Sequence, residues 1–108
     1  MTVSELSKEL GANVVCMPCG EREVDGGYVG DLLSWVMGRA PADCAWVTIM
    51  SNVNVVAVAS LADVACVILA EGVEPDGDAA SKAEREGVNL LTVSEGSYEV
   101  CARLAQLL

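Results

Sequence analysis

Apolar positions along this chain come in short blocks, and their spacing alternates between that of a helix and that of a strand. Thr2-Val3-Ser4-Glu5 has the form of a capping box, in which a hydroxyl and a carboxylate satisfy each other's backbone amides. Leu6 and Leu10 then fall four apart on one face, and Gly11 supplies a left-handed stop. The pattern predicts a helix over 3–10. Asn13-Val14-Val15-Cys16 reads as a short strand closed by Pro18 and Gly20, and 21–25 as a polar loop or edge strand. Within Gly26-Gly27-Tyr28-Val29-Gly30-Asp31, Tyr28 and Val29 can extend. Asp31 is placed to cap a helix through Leu32, Leu33, Val36 and Met37, which Gly38 and Pro41 end.

Ala45-Trp46-Val47-Thr48-Ile49-Met50 is the clearest strand, followed by Ser51 or Asn52 as a cap. Residues 53–63 carry Val55, Val56 and Val58, which favour a strand by propensity. Helical spacing over 54–61, and the need for a crossover between parallel strands, predict a helix instead. Residues 65–69 are a buried strand and 71–78 a turn-rich loop. A polar helix follows over 79–86, then a strand over 88–93. Ser94 or Ser97 is expected to cap a last helix lined by Val100, Leu104 and Leu107. Strands alternating with short helices imply a three-layer α/β/α domain with a mostly parallel, mixed sheet of 4–6 strands. The 108 residues suffice for one core, so a single domain over 1–108 is expected.

Composition narrows what such a domain does. Apolar residues make up 53% of the chain, yet only 4% are aromatic and none is Phe, so Val, Leu, Ala and Ile fill the core. Sixteen acids face six bases for a net charge of −10. Lys8, Arg22, Arg39, Lys82, Arg85 and Arg103 are scattered. Nucleic acid and anionic membranes draw on clustered cations and are not expected as partners. No apolar run approaches the roughly 20 residues of a membrane span. MTVSELSKEL lacks the charged-then-apolar order of a signal peptide. The expected location is the cytoplasm, where Cys44, Cys66 and Cys101 read as reduced core thiols.

The chemistry is sparse. With no His there is no Ser/His or Cys/His pair. Neither GxGxxG nor GxxxxGK[ST] occurs, which excludes a P-loop kinase or ATPase. Asp25, Asp31 and Asp63 are the only carboxylates worth weighing for acid-base work, and helix caps or solvated charges explain them equally well. Asp76 and Asp78 lack the ligand pattern of a calcium loop. Cys16-Met17-Pro18-Cys19 resembles a thioredoxin redox turn, but Cys19 leads into Gly-Glu-Arg-Glu-Val-Asp-Gly-Gly, a poor helix. As a metal site it supplies two of the four ligands zinc wants. The expectation is therefore a non-catalytic binding module with no cofactor and no metal. A thiol redox or metal-binding protein using Cys16 and Cys19 is the alternative.

In open α/β sheets, ligands collect where strands end and helices begin. That rule nominates Gly26, Gly27, Tyr28, Gly30 and Asp31 of one loop, with Thr48, Ser51, Asn52 and Asn54 of the next, as the lining of a cleft for a small anion such as a nucleotide. Trp35, Met37 and Trp46 are candidates for an interface with a partner protein or a second copy.

The blocks 26–37, Trp46-Val47-Thr48-Ile49, 55–63, 67–76 and Gly87-Val88-Asn89-Leu90-Leu91-Thr92 together resemble the DRTGG domain. The resemblance spans nearly the whole chain, with Asp25-Gly26-Gly27 the nearest echo of the family's namesake string. It implies a fold similar to the N-terminal domain of HPr kinase/phosphorylase. It also implies an accessory, regulatory or subunit-contact role, as a homodimer or with a partner protein. The kinase chemistry of that enzyme belongs to a P-loop domain this chain lacks.

Overall fold

The computed structural model describes all 108 residues, Met1–Leu108. Five helices and five strands alternate: α1 (Val3–Leu10), β1 (Asn13–Cys16), β2 (Gly27–Val29), α2 (Leu33–Arg39), β3 (Ala45–Thr48), α3 (Val53–Ala62), β4 (Cys66–Leu69), α4 (Gly77–Glu86), β5 (Leu90–Thr92) and α5 (Ser97–Leu107). The strands form one mixed sheet in the order β1-β5-β4-β3-β2. Pairs β2–β3, β3–β4 and β4–β5 are parallel, and β1 joins β5 antiparallel. The sheet is therefore of the mixed, mostly parallel kind that the alternation predicts.

Period-2 alternation divides the core between two faces. Ala45, Val47, Cys66, Ile68 and Leu91 point to α1 and α5, packing with Val3, Leu6, Leu10, Val100 and Leu104. Trp46, Val67, Leu69 and Leu90 point to α2, α3 and α4, packing with Val36, Val56, Ala59 and Ala83. Helices on both faces complete the α/β/α layers.

Local signals explain most of these elements. Both halves of the capping box form: the Glu5 amide donates to Thr2 Oγ1 at 3.1 Å, and the Thr2 amide to Glu5 Oε1 at 2.8 Å. Hydrogen bonding from Thr2, first from its backbone amide and then from its side chain, holds the Glu5 carboxyl below its usual range, since it favours the ionised form. The valine-rich stretch is helical because Val55, Val56, Val58 and Ala59 are all buried against the sheet. Asn52 caps it, and Asp63 ends it in the left-handed conformation (φ 59°).

Several expectations need correction. Asp31 does not cap α2; Leu32 occupies that position with no side-chain hydrogen bond. β3 stops at Thr48, two residues short of Met50, where Thr48 turns its hydroxyl to Asp31. Of the two readings of residues 21–25, loop or edge strand, the loop holds, with only an isolated bridge between Thr2 and Glu23. Neither Ser94 nor Ser97 caps α5: Gly96 stands at the cap, and the carboxylate of distant Glu71 accepts from the Ser97 amide at 2.9 Å.

Candidate functional site

The nine residues expected to line one cleft fall into two groups. Asp31, Thr48, Ser51, Asn52 and Asn54 cluster where β3 runs into α3. Asp31 Oδ1 accepts from the Thr48 hydroxyl at 2.8 Å and from the Ile49 amide at 3.0 Å. Thr48 Oγ1 accepts in turn from the Met50 amide at 3.3 Å. Thr48 is buried, so its hydroxyl requires a partner inside the fold; Asp31 supplies it in place of capping its own helix. Ser51 Oγ donates to Asp76 Oδ1 at 3.0 Å, and Asn52 Oδ1 accepts from the Asn54 amide at 2.9 Å. Each of these side chains except Asn54 is thus committed to a bond within the chain.

Gly26, Gly27 and Tyr28 border a separate feature, an apolar cavity of about 240 Å³ between β2 and α5. Val29, Val47, Cys101, Leu104, Ala105 and Leu108 complete its lining. Gly30 sits between the groups. Its carbonyl accepts from the Trp46 indole at 2.9 Å, and the Tyr28 ring lies where any Cβ at position 30 would approach to 3.2 Å. A second, polar cavity of about 210 Å³ lies at the far side of the sheet and includes Glu74 and Glu95.

Trp46 is not an interface residue. It is fully buried between β3 and α2, and its one polar atom is satisfied by Gly30. Trp35 and Met37, by contrast, are exposed, Trp35 by 53%. Val29, Leu32 and Ile49 are exposed with them, so large apolar side chains concentrate at the β2–α2 margin of the sheet. In a chain that is 20% charged, residues 26–39 hold only Asp31 and Arg39. The Arg39 guanidinium lies 3.8 Å over the Trp35 ring, a favourable cation–π geometry. The signal that would have found Val29 and Leu32 is this charge depletion, legible in the sequence once the segment is known to lie at an edge; Ile49, outside the segment, carries no such signal.

Four of the five thiols, Cys16, Cys44, Cys66 and Cys101, are shifted away from activation by burial. Cys16 Sγ donates to the Val88 carbonyl at 3.3 Å, and burial, with Glu84 nearby, pushes its pKa up. A reactive thiolate needs the opposite shift. Cys44 and Cys66 are buried as expected, whereas Cys101 is half-buried at the apolar cavity. Asn89, fully buried, holds the turn after Cys16 to the sheet. Its Oδ1 accepts from the Cys19 amide, and its Nδ2 donates to the Cys19 and Ala65 carbonyls, all at 2.9 Å. No three His, Cys, Asp or Glu side chains come together in a group able to hold a metal ion.

Half of the six cations are spent on structure, Arg39 among them through its contact with Trp35. Arg22 pairs with Asp43 at 2.8 Å and Asp63 at 2.9 Å and also donates to the Asp63 carbonyl, joining three loops. Arg103 pairs with Glu95. Lys8, Lys82 and Arg85 remain, on α1 and α4. No helix is long and apolar enough to cross a membrane.

Comparison with known proteins places this arrangement. The family profile described as the DRTGG domain matches residues 5–107. Among solved structures, the fold is similar to that of the CBS and DRTGG domains of the regulatory region of Clostridium perfringens pyrophosphatase, complexed with the activator diadenosine tetraphosphate. The TM-score is 0.73 at 13% identity, covering 95% of this chain and 45% of the other. The chain therefore spans less than half of that structure, and at this identity the likeness is one of fold. No curated protein matches.

Proposed function

The chain belongs to the DRTGG domain family, and on that premise we infer that it is a non-catalytic regulatory module that works by recognition and associates with itself as a homodimer. The carrying observation is the exposed, charge-poor margin formed by Val29, Leu32, Trp35, Met37 and Ile49 on an otherwise strongly acidic molecule. Exposed apolar surface of this kind costs solubility unless something covers it. Aromatic, Met and Arg side chains are the types enriched at interfaces. The absence of His and of any cation bonded to the side chains of the β3–α3 loop leaves little with which to move protons or hold a transferring phosphoryl group.

A small anionic ligand is the second reading, favoured by the nucleotide activator in the structurally similar pyrophosphatase region. Binding at Asp31, Thr48, Ser51, Asn52 and Asn54 would have to use backbone amides and displace existing bonds, since no cation is bonded to these side chains. The Gly26–Tyr28 side offers an apolar cavity instead. Thermal denaturation against nucleotides and phosphorylated metabolites tests this reading. A specific ligand at about a hundred times its Kd should stabilise the fold by about 2.7 kcal/mol. Unchanged melting with every compound would leave recognition of protein as the function.

A further inference from the structure

We propose that two copies of this chain join through antiparallel pairing of β2 with β2 across a two-fold axis at Tyr28, giving one continuous ten-stranded sheet. This rests on the self-association reading above and names its interface. β2 is the last strand of the sheet. It lies parallel to β3 with Gly27 beside Ala45, Tyr28 beside Trp46 and Val29 beside Val47. The Ala45 amide donates to the Gly26 carbonyl at 2.9 Å, and the Gly30 amide to the Val47 carbonyl at 3.2 Å. Residues 26, 28 and 30 thus spend their peptide groups on β3. Because these groups alternate sides along a strand, Gly27 and Val29 aim both N–H and C=O away from the sheet. Two residues spaced by two, each with an outward donor and acceptor, are what an antiparallel neighbour needs to exchange paired bonds. With Tyr28 on the axis, Gly27 meets Val29 of the partner subunit and Val29 meets its Gly27, for four hydrogen bonds.

Charge selects a second copy as the occupant. Two molecules of net charge −10 repel, but the segment 26–39 is neutral, with Asp31 just before α2 and Arg39 at its last position. α2 is the crossover that returns the chain from the end of β2 to the start of β3, so Arg39 lies beside the beginning of β2 and Asp31 beyond its end. The two-fold brings each end to the opposite end of the other copy, placing Arg39 against Asp31 of the partner subunit. Asp31 Oδ1 is engaged by Thr48 and Ile49, while Oδ2 makes no bond within the chain. Leu32 and Trp35 flank the edge on the α2 face; Val29 and Leu108 flank it on the α5 face. The opposite edge, β1, suits pairing less well, because its register is broken between Val14 and Cys16 and such irregularities blunt edges.

Sedimentation equilibrium of the full chain, with Val29→Pro and Trp35→Glu variants, tests the pairing, and circular dichroism melting verifies that each variant is folded. Val29→Pro removes one outward N–H per copy and hence two of the four bonds, at an edge position where proline is tolerated. Trp35→Glu adds like charge to the margin while leaving the β2 backbone intact. We expect a wild-type dimer, and a dimer Kd raised by roughly tenfold or more in each folded variant. A monomeric wild type at all concentrations overturns self-association and this interface together. A wild-type dimer that either folded variant leaves at full strength overturns the β2 edge alone.

Discussion

Cys66 and Cys44 carry the largest shifts in the molecule, and at the scale of single residues burial is what sets them. Cys66 is enclosed at the start of β4, the middle strand of the sheet, and loss of solvent pushes its pKa up to about 12, with the neighbouring Cys44 adding to the shift. Burial moves Cys44 up to about 11. In an unfolded chain both ionise near pH 8.5. The folded state thus holds its protons to higher pH than the unfolded state does. The stabilisation is complete below about pH 8.5 and is lost as pH rises toward 11 and 12. Urea denaturation at pH 8 and pH 10.5 is expected to show a lower midpoint at the higher pH, with a smaller drop in Cys66→Ala. Equal drops in wild type and variant would show that the buried thiol contributes nothing to the alkaline loss.

At the scale of elements, the ends of helices show where local reading succeeds and where it stops. The Thr2 box, the Asn52 cap and Gly87 at the close of α4 (φ 72°) are legible because their hydrogen bonds close within five residues. Asp31 misleads because Thr48, buried 17 positions later, takes its carboxylate. The start of α5 depends on Glu71, 26 residues upstream, which no local pattern reveals. The same limit divides the nine candidate site residues: strand and loop positions are readable, whereas the side of the sheet each loop faces depends on which helices cross where. Glu71 itself is held at φ 64°, a conformation costly for any residue but glycine. Glu71→Ala loses the cap and keeps the strain, for about 1 kcal/mol of destabilisation. Glu71→Gly loses the same cap but relieves the strain and should remain within about 0.5 kcal/mol of wild type. Chemical denaturation of the pair checks the order, and an alanine variant as stable as the glycine one would show that the backbone there is unstrained.

At the scale of the whole molecule, an excess of ten negative charges sits on a body 30 × 25 × 24 Å across. The Debye length is about 30 Å at 0.01 M salt and about 3 Å at 1 M, so in dilute buffer every charge senses every other. A like pair at about 20 Å costs only about 0.2 kcal/mol in water, but the excess acids form many such pairs. Their sum outweighs what salt removes from the exposed ion pairs, each worth about 1 kcal/mol or less. Arg22 with Asp43 and Asp63, and Arg103 with Glu95, are the pairs at stake. Added NaCl should therefore raise the melting temperature, by a few degrees between 0.01 and 0.5 M on this scale. It should strengthen self-association over the same range, because the contact surface itself is neutral while the bodies behind it repel. Calorimetry and sedimentation across a salt series read both effects. A melting temperature that falls with salt would mean that the Arg22 and Arg103 pairs, not the acidic excess, govern stability. Association that weakens with salt would mean that the pairs of Arg39 with Asp31 of the partner subunit outweigh the repulsion between the two acidic bodies.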